Sequence, residues 1–393
     1  MNHSDMANGT EVLAFDTGHI LSHEVMLTAR QMHHITSAYI GPVFFVLGLF
    51  GNLLSIVIWR KKLMKSSTGT YLIAQAVNDI GVLIFFFLTD SLIELAPWVK
   101  MSNIFGVVYA YIGYPMFYFF VVNSIWTLVG VTIDRYVQVC WIDQAKILYI
   151  FPLQTLCNER AAQIGVALIS VLSFIINMPH FNTYRAVPNY ERDANETAYE
   201  YTEFGHGAGS QLYEFWIHCM FLVLAPWVSI MFMNMAIIFR VGQLNKKMLQ
   251  MRGNKAQKRA QRKENQMTNI LLTVTFTFLG LIALQCVTQC FFMMQPENMN
   301  FEMVNEAYSV AKLGIVINSS INFILYCVTG KRFRNELRLM LFRLTHIKAL
   351  VPLPGTNDLY NSQDPDLLSS SPTISKDRKC SISTVEKDAD SHP

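Results

Sequence analysis

Thr132-Ile133-Asp134-Arg135-Tyr136 closes a run from Met101 to Ile133 that carries no charged residue. An acid and a base set side by side after such a run are costly in hydrocarbon. The chain must reach water there or hold both charges inside protein. The run exceeds the roughly 20 apolar residues that cross a bilayer, so it spans with a tilt. The fold then depends on how many other stretches read the same way.

The 393-residue chain is 52% hydrophobic and only 15% charged, well below the roughly 25% charged residues of a soluble domain. The apolar excess falls in seven blocks: 37–59, 71–89, 101–133, 161–179, 215–239, 266–294 and 313–328. Asp79 is the single acid inside them. Lipid cannot satisfy free backbone N–H and C=O groups, so such spans are helical. The expected fold is an all-α membrane protein, a seven-transmembrane helix bundle.

Lys and Arg fix the expected orientation. Arg60, Lys61, Lys62 and Lys65 follow span one, and Lys146 and Arg160 separate spans three and four. A basic stretch from Arg240 to Lys263 joins spans five and six, and Lys331, Arg332, Arg334, Arg338 and Arg343 follow span seven. These loops share one side, which should be cytoplasmic. The opposite side is acidic, with Asp90, Glu94, Glu191, Glu196, Glu200, Glu203, Glu297 and Glu302. An odd number of spans then puts the N-terminus outside. The sequons at Asn2, Asn8 and Asn195 agree, since all three map outside.

The expected organisation is an extracellular segment at 1–36, a seven-span bundle with an interfacial helix at 37–345 and a disordered cytoplasmic tail at 346–393. Residues 1–36 lack the apolar core of a cleavable signal. After span seven, Phe333, Leu337, Met340, Leu341 and Leu344 recur at helical spacing with basic residues opposite. That pattern predicts a short amphipathic eighth helix on the inner leaflet. The tail is rich in Ser, Asp and Pro and includes Ser369 to Ser371 as candidate phosphorylation sites. In the long outer loop, Tyr199 to Phe204 alternates polar and aromatic residues, which predicts a strand or a hairpin. None of the seven cysteines falls in an outer loop, so no disulfide framework is expected.

Further motifs sit at consistent depths: Gly51-Asn52 in span one, Asn78-Asp79 in span two, Pro226 in span five, and Asn318-Ser319-Ser320-Ile321-Asn322-Phe323-Ile324-Leu325-Tyr326 in span seven. With Asp134-Arg135-Tyr136, they resemble a rhodopsin-like G-protein-coupled receptor over roughly residues 37–344. Phe323 stands where that family's Asn-Pro-x-x-Tyr has proline. This variant, with Asn177-Met178-Pro179-His180 after span four, resembles the group around FMRFamide and related invertebrate neuropeptide receptors.

The resemblance implies roles for particular residues. Asp134, Arg135, Tyr136, Glu264, Asn322 and Tyr326 match a cytoplasmic switch, with Glu264 placed to pair with Arg135. Asp79, Ser124, Asn318, Ser319 and Asn322 match an intramembrane polar network, with or without a sodium ion. Ile125, Pro226 and Phe278 match a packing connector between pocket and cytoplasmic half. Residues at pocket height are Asp90, Tyr114, Phe117, Tyr118, His218, Gln285, Gln289, Tyr308 and Lys312. Asp90 is the expected partner of a ligand cation, although Lys312 could pair with it instead. The acidic outer face suits a cationic peptide through steering, such as an amidated one.

Departures from the family pattern are equally legible. Ala110 occupies the usual span-three cysteine position, so the disulfide to the outer loop is absent. Leu281-Ile282-Ala283-Leu284 replaces the family's Cys-Trp-x-Pro in span six. Phe117 stands at the amine-receptor aspartate and Val316 at the opsin lysine, which argues against a monoamine or retinal. No enzyme motif, metal-ligand spacing or nucleic-acid patch appears. The expected function is a peptide receptor coupled to a heterotrimeric G protein, with arrestin at the phosphorylated tail and the lipid bilayer as surroundings. The alternatives are a divergent orphan or chemosensory receptor with weak or no coupling, and a transporter or channel.

Overall fold

The computed structural model describes residues 27–28, 30–141, 157–191, 193, 196–250, 265–283 and 301–345. Among them, seven helices are long and apolar enough to cross a membrane. They are α1 (Arg30–Trp59), α2 (Ser67–Leu95), α3 (Asn103–Trp141), α4 (Glu159–Asn182), α5 (Ala208–Lys246), α6 (Asn265–Ala283) and the apolar part of α7 (Phe301–Thr329). An eighth helix, α8, follows at Lys331–Thr345. The helix containing the first apolar block starts at Arg30, ahead of the block's own edge at Ser37. Hydropathy marks where lipid begins, whereas backbone hydrogen bonding carries a helix beyond it.

Local sequence explains where the helices start. Ser66 caps α2 by accepting from the Gly69 N–H at 3.0 Å, and Asn158 caps α4 by accepting from Ala161 at 2.8 Å. Several helices contain wide π turns, at Ile35–Ile40, Phe87–Ser91, Tyr109–Gly113, Val137–Trp141 and Glu214–Leu224. Three of these end just ahead of Pro42, Pro115 and Pro226. Proline lacks the N–H and its ring crowds the carbonyl four residues back. A widened turn relieves the clash and shifts the register of side chains beyond it.

Apolar packing holds the bundle. Phe86, Leu83, Leu128, Ile230, Phe278 and Tyr326 lie in one buried cluster that draws on α2, α3, α5, α6 and α7. Helices α1, α2 and α7 approach closely at Gly48, where a Cβ would stand 2.8 Å from Ser320 Cα. Val46, Phe50 and Val57 on α1, Leu168 and Leu172 on α4, and Phe232 and Phe239 on α5 face outward instead. Exposed apolar stripes of this kind would be costly in water and suit a lipid surround.

Two compact units divide the chain, Met1–Arg338 and Leu339–Pro393. In the first, α8 begins by packing Phe333, fully buried, against Trp59 and Tyr326. Arg334 donates to the terminal carbonyls of Cys327 and Val328, and Lys61 pairs with Glu336 at 3.0 Å. Those carbonyls have no partner within α7, so the arginine satisfies them. In the second unit, the described residues run from Leu339 to Thr345, with Leu341 and Phe342 exposed.

The outer loop contains the expected strand and its partner. β1 (Tyr184–Ala186) pairs antiparallel with β2 (Tyr199–Tyr201) in the register Tyr184↔Tyr201, Arg185↔Glu200 and Ala186↔Tyr199. Phe204, read from sequence as strand, lies in a helical turn, Glu203–His206, capped by Thr202. The capping hydroxyl takes the chain out of extended geometry there.

The place of the missing disulfide is filled by aromatic rings. Ala110 is fully buried, and around it Tyr109 stacks on Tyr199 at 3.8 Å and Tyr184 on Tyr201 at 4.3 Å. Tyr184 also meets the rings of Tyr109 and Tyr114 edge-on. Gly106 touches the Ala198 carbonyl so closely that a Cβ has no room. The Ala198 N–H donates to the Lys100 carbonyl at 2.8 Å. The hairpin is therefore held to α3 by packing, and to the turn just before α3 by a backbone bond at Lys100.

Candidate functional site

The site has three tiers. At the tier on the basic side of the bundle, π turn Val137–Trp141 follows Asp134-Arg135-Tyr136 at the end of α3. Asp134 and Arg135 are 7% and 4% exposed, so the pair is buried rather than delivered to water. The Asp134 Oδ2 atom accepts from Ser67 at 3.0 Å, Thr68 at 3.2 Å and Gln138 at 3.0 Å, and from the Arg135 guanidinium at 3.3 Å. Each of these donors offsets part of the cost of burying the carboxylate. Ser67, Thr68 and Gln138 were not legible as site residues. The signal available was two hydroxyls opening a helix on the basic side of the bundle.

A cavity of about 410 Å³ lies below this pair, lined by Met64, Ser67, Arg135, Gln138, Cys157 and Met267 among others. Its walls come from the turn before α2, the starts of α2 and α4, the end of α3, α6 and Arg332 of α8. Tyr136 is partly buried, and Tyr326 is fully buried against Trp59. Glu264, the expected partner of Arg135, lies outside the described residues.

At the middle tier, Asp79 is wholly buried. Its Oδ1 accepts from Gln75 at 3.1 Å and Ser124 at 3.2 Å, and its Oδ2 from Asn322 at 2.7 Å. Ser319 contributes a further bond, and its carbonyl accepts from Asn52 at 2.8 Å. Spans one, two, three and seven thus meet at one carboxylate. Asn318 is buried nearby on α7, but no hydrogen bond joins it to Asp79 among the described residues. Gln75 was missed, although it precedes Asp79 by four residues and so shares its helix face.

Three oxygens of this network, Asn52 Oδ1, Gln75 Oε1 and Asn322 Oδ1, are buried with no hydrogen-bond partner among the described residues. A carboxylate, a hydroxyl and spare amide oxygens form a hard donor set, which fits a small cation such as sodium. A second network stands beside it. Asn123 donates to Asn78 at 2.9 Å and to Ser170 at 3.2 Å, and Asn78 donates to Thr127 at 3.1 Å. It ties α4 to α2 and α3 without a tryptophan in α4.

Ile125 and Phe278 lie in the main buried cluster, and Pro226 is buried on α5. Two further bonds join α5 to α6. Trp227 donates to the Leu279 carbonyl at 2.9 Å, and Asn234 to Thr275 at 2.7 Å. Trp227 had no sequence signal beyond its place after Pro226. It provides a ring and a polar handle beside a helix that lacks the family's tryptophan.

At the outer tier, the π turn Phe87–Ser91 directs Asp90 inward, where it is 8% exposed. Lys312 meets it at 3.3 Å and lies over the Phe117 ring at 5.7 Å. The acid read as an open cation site is therefore paired within the protein. Tyr114, Tyr118 and His218 gather separately around His180. Tyr118 stacks on His180 at 4.3 Å, and His218 meets it at 2.8 Å between Nε2 atoms. Gln285 and Gln289 lie outside the described residues, as do the Tyr308 side chain and the sequons at Asn2, Asn8 and Asn195. Among the described residues, no group of three His, Cys, Asp or Glu side chains is arranged to hold a metal.

Charge outside the membrane follows the hairpin. Arg185 pairs with Glu200 across the strands, and His33 and His34 both face Glu94. Burial and neighbouring phenols push Tyr184 well above the usual phenol range, and burial beside Asp90 pushes Tyr199 upward.

Comparison with known proteins gives a consistent picture. Residues 51–326 match the family profile of the 7 transmembrane receptor (rhodopsin family). The FMRFamide receptor of Drosophila melanogaster is 24% identical over 306 residues, which cover 76% of this chain and 52% of that protein. The sex peptide receptor of the same organism is 22% identical over 325 residues, covering 76% and 71%. The thyrotropin-releasing hormone receptor of Gallus gallus is 27% identical over 147 residues, covering 37% and 36%. The chain thus spans about half the length of the FMRFamide receptor it matches.

Proposed function

The chain belongs to the rhodopsin family of seven-transmembrane receptors, and we propose that it answers an extracellular neuropeptide by opening the cavity at Arg135 to a heterotrimeric G protein. One observation carries this reading. The Asp134–Arg135 pair is clamped by Ser67, Thr68 and Gln138 at the rim of a cavity on the basic side of the bundle. A buried arginine that must be released to meet a partner is a two-state element, and a ligand acts on it only by favouring one state.

The peptide arrives at the acidic outer face, with the N-terminus outside and the tail in the cytoplasm, where arrestin meets it once phosphorylated. The relatives' names supply the ligand class: FMRFamide, a sex peptide and thyrotropin-releasing hormone. A cationic group of the ligand competes with Lys312 for Asp90. Binding would have to reorganise an ion pair already made, which favours ligands that also offer Lys312 an acceptor. A sodium ion at Asp79 and Ser124, with a spare oxygen of Gln75 or Asn322, would hold the resting arrangement of α2, α3 and α7.

The test is expression of the chain in cells with a G-protein readout, challenged with a library of amidated and free-acid peptides. A peptide that activates wild type and not Arg135→Ala, at equal surface expression, supports the reading. Activation by no peptide, with no basal signal, contradicts it.

A further inference from the structure

The outer tier holds a second cluster, around His180, apart from the Asp90–Lys312 pair. Asn177 and His180 stand at the end of α4, where Pro179 follows Met178 and a 3₁₀ turn, Met178–Asn182, replaces the α-helix. That turn brings His180 inward, and it is 1% exposed. Glu214 and His218 come from the π segment of α5, four residues apart. Irregular backbone on both helices therefore aims four polar side chains at one place.

Their atoms are arranged in order. The two imidazoles face each other through Nε2, 2.8 Å apart. Asn177 Oδ1 lies 3.2 Å from the His218 Nε2 atom. On the far side of His180, its Nδ1 stands 3.7 Å from the Glu214 carboxylate. Tyr118 stacks flat on the His180 ring and Tyr213 meets it edge-on, which fixes its plane. With a proton on His180 Nδ1 facing Glu214, the His180 Nε2 lone pair points at His218.

We infer that His180 and His218 form a binding site for a borderline divalent transition metal such as zinc, with Asn177 as an oxygen donor and Glu214 orienting His180 from behind. A tetrahedral zinc ion at 2.0–2.1 Å from each nitrogen needs them about 3.3 Å apart. The pair would open by about half an ångström, within reach of small ring rotations. Water fills the remaining position. A carboxylate on the other nitrogen of a ligating histidine fixes its tautomer and strengthens its donation.

Proton bookkeeping closes without a co-reactant. In the metal-free state His218 donates through Nε2 to His180 Nε2. On binding, that proton moves to His218 Nδ1 by exchange with water, and both Nε2 lone pairs face the metal. The ion would join α4 to α5 on the outer side, so it stabilises the folded receptor by mass action.

The experiment is a zinc chloride titration of the purified full-length receptor in nanodiscs, read as thermal stability, with magnesium as control. Zinc raises the midpoint of wild type, and a chelator reverses the rise. His180→Gln and His218→Gln each lose the response. His218→Cys keeps it, because thiolate also binds zinc, and this separates loss of a ligand from damage to the fold. Glu214→Gln needs roughly 10- to 100-fold more zinc for the same rise. Cobalt in place of zinc gives visible absorption that disappears in His218→Gln. The inference is overturned if wild type does not respond, or if magnesium acts equally. It is also overturned if the histidine variants respond as wild type does, which would place the ion elsewhere, as at His33, His34 and Glu94.

Discussion

Removing one ring from the hairpin that replaces the disulfide should loosen the outer loop as much as breaking a disulfide would. Tyr184→Ala is the perturbation. Its side chain is 8% exposed and touches the rings of Tyr109, Tyr114, Tyr199 and Tyr201. Truncating a large buried aromatic costs about 3–5 kcal/mol, and each aromatic pair adds about 0.5–1.5 kcal/mol beyond burial. A loop disulfide contributes about 2–4 kcal/mol, so the two devices are comparable. The assay is amide hydrogen exchange on the purified receptor. Val187 donates to Ala198, Ala198 to Lys100, and Thr202 to Thr183, so these amides report hairpin opening. A loss of about 3 kcal/mol raises the opening constant roughly 100-fold. Unchanged exchange at all three amides would refute the claim that packing of this ring holds the loop.

The hairpin should also respond to base. Tyr184 and Tyr199 are neutral in the fold and raised above the ordinary phenol value near 10. Their contribution is complete below about pH 10 and falls as pH rises towards the folded values, so faster exchange beginning near pH 7 would contradict it. Asp90→Asn and Lys312→Met should be coupled, the double variant costing less than the sum by about 1 kcal/mol or more in agonist potency; strict additivity would separate the two residues. Asp79→Asn should remove any sodium dependence of agonist binding, measured against potassium at equal ionic strength, and an unaltered sodium effect would place the ion elsewhere. Ser67→Ala combined with Thr68→Val removes two of the bonds to Asp134 and should raise basal G-protein activity severalfold; a basal level equal to wild type would count against the clamp.

Much of the bundle could be read from the chain because lipid imposes a simple rule. The seven helical spans, and Asp79 as the one acid inside the seven apolar blocks, follow from the cost of polar groups in hydrocarbon. The rest of the Asp79 network came from the family resemblance: Ser124, Ser319 and Asn322 do reach the carboxylate, whereas Asn318 makes no hydrogen bond to it among the described residues. What escaped depended on geometry that hydropathy does not encode. Gln75, Trp227, His180 and Glu214 matter through helix phase and through π and 3₁₀ turns that rotate side chains by a fraction of a turn. The Asp90–Lys312 pair joins residues 222 positions apart, so sequence offered it only as an alternative. The aromatic hold on the outer loop was hidden because each tyrosine alone reads as ordinary surface or core.

The most direct test of the account is nucleotide exchange on purified G protein, driven by the receptor in nanodiscs at matched amounts of folded protein. Wild type with an activating peptide should accelerate exchange, and Arg135→Ala should return it to the receptor-free rate while peptide binding persists. Equal acceleration by wild type and Arg135→Ala would contradict the claim that the clamped arginine is the switch.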